Sequence, residues 1–519
     1  MKPSWTLAVL LAGCGEAPLD GSTSTSGKAA TSSDDSTVAA STGMTPTTST
    51  TSTTTTGETT AGEVCDPEVT ACTGGQAWLR AFPVTSNAFL GGPIEAAALA
   101  VAPNGDIVAT GMYEGTIEFG DQSITSIGTL DVWVARFGPD GAPKWFRRFG
   151  GPDPTPNDGF LGANWSAGNI AFDTNGDILV TAKCVATIDF GFGPLVGDDL
   201  DPVVLRLSST GQPKWAHRHV GLGGGIGSEF PLFVAPVGDG RLWLAGTLYG
   251  PGIDLGGGML HSAGWGDVLL AQLDADGNHL WSRGAGDLGH QELRAIAATP
   301  DGGLVIAGGL EGSLDLGDGP LISAGTRDAF VARLDSNGEA TWSHRYGDNH
   351  EQSSLMLHVD GEGGVLLAGS FQSMIDLGAG PFVNPNAGQD PFPIPGLFLA
   401  ELGADGSHVW SSALSEWMTT LDRGDDGTLV FAGAGASTLM FPGGVSGSGA
   451  GPWVATFGSD ASPRWQRILS DDVYSIAHAV AGPNGAAIVA VTIYGEVEFD
   501  GVTIGVPDRS TLVLAQFGL

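Results

Sequence analysis

Beyond residue 75 the apolar positions fall into short runs that alternate with polar ones or are rich in β-branched and aromatic residues, and no helical period persists. One cycle reads AALAVAPNGD, then IVATGMYEGTIEFGD, then a run into DVWVARFGPDG, then APKWFRRFG. The same order returns down the chain. Each cycle is marked by a Trp followed by a short polar or basic stretch, at Trp78, Trp145, Trp215, Trp281, Trp342, Trp410 and Trp465, with spacings of 67, 70, 66, 61, 68 and 55. Asn104-Gly105, Asn175-Gly176, Asp301-Gly302 and Asn484-Gly485 follow the first run of their cycles, and Asp140-Gly141, Asp276-Gly277, Asn337-Gly338 and Asp405-Gly406 precede the Trp run. Such dipeptides tolerate positive φ and close tight hairpins. A third, Gly-rich turn follows Phe119, Phe190, Leu255, Leu316 and Leu377. Three hairpins join four antiparallel strands per cycle, which predicts an all-β chain folded as a seven-bladed β-propeller of four-stranded blades.

The last cycle lacks a Trp strand, and the stretch 76–83, which carries Trp78, stands before the first inner strand. Pairing 76–83 with 511–518 closes the ring by a three-plus-one clasp and leaves no unpaired edge at the seam. The alternative phase, in which each Trp strand begins its own blade, closes without a clasp. In the sixth cycle Leu439-Met440-Phe441-Pro442 replaces the usual acid and the turn Asp460-Ala461 lacks its Gly, so some irregularity is expected there.

Residues 302–348, GGLVIAG…SLDLGDGPLISAGTRDAFVARLDSNGEATWSHRYGD, are similar to the bacterial SBBP-type β-propeller repeats of exported surface proteins, and the resemblance covers about residues 76–518. It implies a propeller and an exported location, and it brings no catalytic residues.

The amino terminus changes the picture. Residues 1–14, MKPSWTLAVLLAGC, hold one Lys and an apolar run too short to span a bilayer, so they read as a targeting segment. The ending Leu11-Ala12-Gly13-Cys14 resembles a bacterial lipobox, which implies a mature chain lipidated at Cys14 and held by buried acyl chains. The expected partner there is the membrane, and the expected location is the bacterial cell envelope, at the outer membrane or cell surface. Residues 15–62 are dominated by Ser, Thr and Gly, with 15 of the 20 residues 41–60 being Ser or Thr. Such a tract has too little apolar surface to fold and spans roughly 40 Å as a flexible tether, bare or O-glycosylated. Residues 63–75 form a small collar in which Cys65 and Cys72 are close enough to bridge, and residues 76–519 form the propeller. Cys184 reads as a buried thiol.

Composition narrows function mainly by exclusion. The 519 residues carry 57 acids against 21 bases, a formal net charge of −36, which argues against nucleic acid because a phosphate backbone needs clustered Lys and Arg. An acid recurs two residues before the Gly-rich turn, at Glu118, Asp189, Asp254, Asp315, Asp376 and Glu498, with those turns expected on the rim that also carries the inter-blade loops. Such acids either bind Ca2+, which wants six to eight oxygens, or cap their own hairpins; the second reading is preferred. Arg80, Arg147, Arg283, Arg467, His217 and His344 beside the Trp series read as edge protection, and the Trp series itself as a core ladder. His290, His350 and His358 read as isolated. Trp165, Trp265 and Trp417 fall outside the ladder and, with Asp189, Asp254, Asp315 and Asp376, are the candidate binding residues. The longer loops 150–166 and 383–396 would add to that rim. No motif marks a catalytic centre, and no metal or cofactor is expected. The function expected is that of a monomeric surface-anchored binding, adhesion or scaffold module for a protein or glycan ligand. The alternatives are an extracellular lyase or glycosidase using rim acids, and a purely structural spacer.

Overall fold

The computed structural model describes residues 76–518 apart from 86–93, 128–130, 152–164, 185–186, 197–200, 220, 222–231, 251, 385–386, 388–394, 415–417, 435–438, 441–445, 448–450, 470–476 and 500–501. Cys14, Cys65, Cys72 and Trp417 therefore lie outside the described residues. So do the tether, the collar and most of the two long loops.

The described chain is all strand but for one short 3-10 turn. In the fourth repeat, Gln291–Ala298, Leu304–Leu310, Asp328–Leu334 and Ala340–Tyr346 pair antiparallel in that order. Five other repeats build the same four-stranded sheet, and their first strands are Ile94–Val101, Trp165–Phe172, Phe233–Pro236, Gln352–Val359 and Thr420–Arg423. Neighbouring sheets touch mainly through these first strands, which are thus innermost, and the Trp strand lies outermost. This is a β-propeller of four-stranded antiparallel blades.

The seventh repeat departs from expectation. Its strands Ala477–Ala481, Ala487–Phe499 and Val502–Phe517 do not form a separate four-stranded sheet but belong to a six-stranded one, completed by Gln76–Thr85 and the hairpin Thr116–Phe119 and Gln122–Thr125. The amino-terminal strand pairs Gln76 with Phe517 through to Pro83 with Thr511, the expected clasp, and Val84 and Thr85 then cross to Ile117 and Thr116. The strand joins both parts of the sheet because its last two residues leave the strand Val502–Phe517 and pair with the hairpin. The two middle strands of each sheet supply the core, their residues being buried on both faces as layered sheets require.

The Gly turns decide how neighbouring blades meet. Gly141, Gly211, Gly277, Gly338 and Gly406 all have φ between +71° and +85°, and each lies under the Trp of the preceding repeat. A Cβ at Gly141 would stand 2.5 Å from Trp78, at Gly211 2.8 Å from Trp145, and at Gly406 2.8 Å from Trp342. Trp78, Trp145, Trp215 and Trp342 then donate their indole N–H to carbonyls of the same turns, those of Pro139, Ser209, Ala275 and Ala404, at 2.9–3.1 Å. The ladder is thus the rim of the core: Trp465 is buried, the other six rings are half-buried and packed against the core, and Trp78, Trp145, Trp215 and Trp342 also staple neighbouring repeats, whereas Trp410 donates to Glu401 of its own repeat. Three of the six bases beside them, Arg147, Arg283 and His344, bond to the same turns, whereas Arg80 donates to the adjacent Leu79 carbonyl and Arg467 lies over the Phe517 ring. Arg147 Nε donates to the Gly211 carbonyl at 2.9 Å, Arg283 reaches the carbonyls of Leu316 and Gly338, and His344 Nε2 lies 3.0 Å from the Gly406 oxygen. In the sixth repeat the turn survives the missing Gly, with Ala461 itself at φ +60°.

Candidate functional site

The hairpins that carry the recurrent acids lie at different depths along their blades: Ile253, next to Asp254, forms a backbone bridge with Gly221 of an inter-blade loop, whereas the fourth-repeat turn reaches further down. The hairpin Ser313–Asp315 and Pro320–Ile322 folds back along its sheet, so that Leu316 accepts the Ala340 N–H at 3.1 Å, at the far end of the blade from the loop 347–351. Each acid caps its own turn. Asp189 Oδ1 accepts from the N–H of Gly191 and Gly193 at 2.7 and 3.0 Å, Asp254 from Gly256 and Gly258 at 2.7 and 3.0 Å, Asp376 from Gly378 and Gly380 at 2.9 and 3.1 Å, and Asp315 from Gly317 at 2.9 Å. Among the described residues no three His, Cys, Asp or Glu side chains gather as metal ligands do.

Trp165 lies in an innermost strand, paired with Cys184, a free thiol that burial pushes up to about 12. Trp265 is different. It precedes the third strand of the third repeat, 74% exposed, with its backbone N–H donating to the Gly289 carbonyl, and Leu288 next to that loop is 80% exposed.

The backbone next to Trp265 leads to a polar cluster that the separate reading of each His missed. Gly266 forms a backbone bridge with His290, which brings that imidazole from the inter-blade loop onto the end of the third repeat. Tyr249 Oη is 2.9 Å from His290 Nε2, and Arg327 Nη2 is 3.2 Å from His290 Nδ1. Arg327 also reaches Glu311 at 3.1 Å and Glu292 at 3.4 Å, and Arg294 meets the other Glu292 oxygen at 2.8 Å. Glu292 is 1% exposed, and the two guanidiniums offset the cost of burying its charge. Because Arg327 can only donate, Nδ1 of His290 must accept, so the neutral ring carries its proton on Nε2 and gives it to the tyrosine oxygen. Burial first, and the Arg327 charge second, hold His290 below its ordinary pKa. Each ring nitrogen is engaged within the cluster. At corresponding positions the fifth repeat has Glu351, Ser353 and Gln372 in place of His290, Glu292 and Glu311. Laying the repeats over one another in the sequence would have exposed this departure.

The other two histidines that read as isolated, His350 and His358, are paired as well. His358 Nδ1 is 2.9 Å from Asp422, and His350 Nδ1 is 3.3 Å from Asp348.

No family model matches the chain. A stretch of 145 residues, 27% of the chain, is 28% identical to the Regulatory protein FlaEY of Caulobacter vibrioides and covers 14% of that protein, so the chain spans about one seventh of that relative. Among solved structures it is similar to a virginiamycin B lyase from Staphylococcus aureus, with a TM-score of 0.38, 9% identity and coverage of 85% of this chain and 99% of the other. It is also similar to a europium-containing methanol dehydrogenase, with a TM-score of 0.35, 11% identity and 81% of both chains covered. A glucose dehydrogenase gives a TM-score of 0.33 and 10% identity over 83% of this chain and 98% of the other. Likenesses this loose carry no argument about chemistry.

Proposed function

We propose that the chain is a ligand-binding propeller of the SBBP repeat type, held on the bacterial cell surface by a lipid on Cys14 and lifted from it by the Ser/Thr-rich tether. In this reading the first four strands of the six-stranded sheet are the seventh blade, and the ring acts as a monomeric scaffold for one binding face. That face is the end of the third repeat, and its ligand is a protein or a glycan. The observation carrying the proposal is the exposed Trp265 set against the Tyr249–His290–Arg327–Glu292–Glu311 cluster. An aromatic ring left in solvent beside a hydrogen-bonded polar cluster favours recognition, since large amphipathic side chains lose little entropy on binding. The lyase or glycosidase alternative has less support, because the cluster's groups are occupied with one another and the repeated acids with their own turns.

Screening the full chain against peptide and glycan arrays tests the face: Trp265→Ala should lose the bound ligand while keeping the wild-type Tm. A ligand retained in full by that variant overturns the assignment. Anchoring is tested by metabolic labelling with a palmitate analogue, which should mark the wild type and not Cys14→Ser; labelling that persists in the Ser variant refutes it.

A further inference from the structure

In the first, second and fourth repeats a buried Asp opens the third strand and meets an Arg from the outer strand. Arg148 lies 2.8 Å from Asp131, Arg218 2.7 Å from Asp201, and Arg345 2.5 Å from Asp328. The register fixes the geometry, since Arg148, Arg218 and Arg345 pair with Trp133, Val203 and Phe330, each two residues after its Asp and on the same face. The fifth and sixth repeats lack both partners, with Gly396 and Ala413, and Gly451 and Ile468, at these positions. The clasped sheet also lacks both, with Thr511 and Ala81. Acid and base are thus present together or absent together, except in the third repeat. There Asp267 keeps the acid, but Gly284, opposite Leu269, stands where the arginine belongs.

Asp267 is 3% exposed; its Oδ2 accepts the Ala263 N–H at 2.7 Å and the Ser262 side chain interacts with the carboxyl, Oδ1 has no hydrogen-bond partner, as is also true of arginine-paired Asp328, and what sets Asp267 apart is that no base of the described residues forms an ion pair with it. The missing side chain leaves room. A Cβ built on exposed Gly284 touches only Leu248 Cδ2 at 3.6 Å and the His261 carbonyl at 4.0 Å. We propose that this position receives a guanidinium group from a ligand, with Asp267 as its counter-ion and Trp265, two residues before it, flanking the entrance. The inference rests on the reading of the third-repeat end as the binding face and adds the chemistry of what binds. A guanidinium suits the geometry because three sister repeats hold one there, and charge-assisted N–H···O bonds are stronger than neutral ones. A single carboxylate is too few ligands for a divalent cation. Burial without a counter-charge pushes the Asp267 carboxyl above the ordinary range, as expected of a group awaiting its partner. The net charge of −36 would draw cationic ligands from a distance.

The test uses the full chain, with N-acetyl-argininamide at millimolar concentration, its neutral isostere N-acetyl-citrullinamide, and an unstructured arginine-containing peptide, read by NMR shift titration and Tm. The argininamide should bind and the citrullinamide should not. Gly284→Arg should fill the slot from within, raising Tm by about 1–2 °C and abolishing the response, and Asp267→Asn should abolish it without filling it. Binding of the peptide at least tenfold tighter than argininamide would assign the group to a polypeptide partner, and equal binding to a small guanidino compound. Equal response to argininamide and citrullinamide, no response to argininamide, or full response in Gly284→Arg overturns the inference. If Trp265→Ala loses an array ligand that Gly284→Arg retains, the guanidinium assignment fails while the binding face stands.

Discussion

The inter-repeat staple can be tested by placing one methyl group at two glycines of nearly equal backbone conformation. Gly406 has φ +79° and Gly176 has φ +76°, so alanine at either carries the cost of a left-handed residue, about 1 kcal/mol. Their surroundings differ. A Cβ at Gly176 meets nothing within 4 Å, whereas one at Gly406 would stand 2.7 Å from His344 Nε2 and 2.8 Å from the Trp342 ring. Relief requires Trp342 and His344 to move, which gives up the indole bond to Ala404 at 2.9 Å and the imidazole contact with the Gly406 carbonyl at 3.0 Å. Each such bond contributes about 1 kcal/mol net, and overpacking adds a comparable amount. Gly406→Ala should therefore cost about 3–4 kcal/mol and Gly176→Ala about 1 kcal/mol. Urea unfolding followed by tryptophan fluorescence measures both. In a Trp342→Ala background most of the excess at Gly406 should vanish, because the coupling belongs to the pair. Equal losses at the two glycines, or an excess that survives removal of the ring, would refute the staple.

Other consequences follow from the same geometry. Ala461→Gly should stabilise by about 0.5–1 kcal/mol, since Ala461 holds φ +60° where the other repeats use Gly; an unchanged urea midpoint counts against it. Changing Asp254, Asp315 or Asp376 singly to Asn should cost about 1 kcal/mol or less, and chelator should leave the wild-type Tm unaltered; a fall of several degrees reversed by Ca2+ would restore the calcium reading. His219 is buried, and loss of hydration pulls its pKa from 6.5 down to about 4. The unfolded chain takes up that proton near pH 6.5 and the folded chain only near pH 4, so this stability is whole above pH 6.5 and lost as pH falls through that window. Up to about 3 kcal/mol is at stake by pH 4, and His219→Gln should flatten the dependence of Tm on pH between those limits.

The fold was legible because its signals are local and repeated: paired runs, Gly turns at fixed offsets and a Trp per cycle specify strands and hairpins without long-range knowledge. The clasp was legible by counting, since one strand was missing at the end and one was spare at the beginning. Contacts between repeats were not. Trp342 and Gly406 are 64 residues apart in sequence, and nothing in either strand alone says that the ring of one repeat covers the turn of the next. The place of Asp315 was not legible because its Gly-rich hairpin folds back along the blade, a direction that period and turn type leave undetermined. His290 looked solitary because Tyr249, Glu292 and Arg327 come from three different strands or strand ends. The signal that did exist was difference between repeats: Gly284 in the place of an arginine, and Glu292 and Arg327 where the fifth repeat has Ser353 and Pro395.

The most direct test of the binding face is hydrogen exchange on the full chain with and without the ligand recovered from the arrays. The account predicts slowed amide exchange in residues 262–267 and 284–292 of the third-repeat end, with the equivalent segments of the fourth repeat, 323–328 and 345–353, unchanged apart from those touching Arg327. Protection confined to the Gly-rich turns at 189–193, 254–258, 315–319 and 376–380 would contradict it and return the site to the recurrent acids.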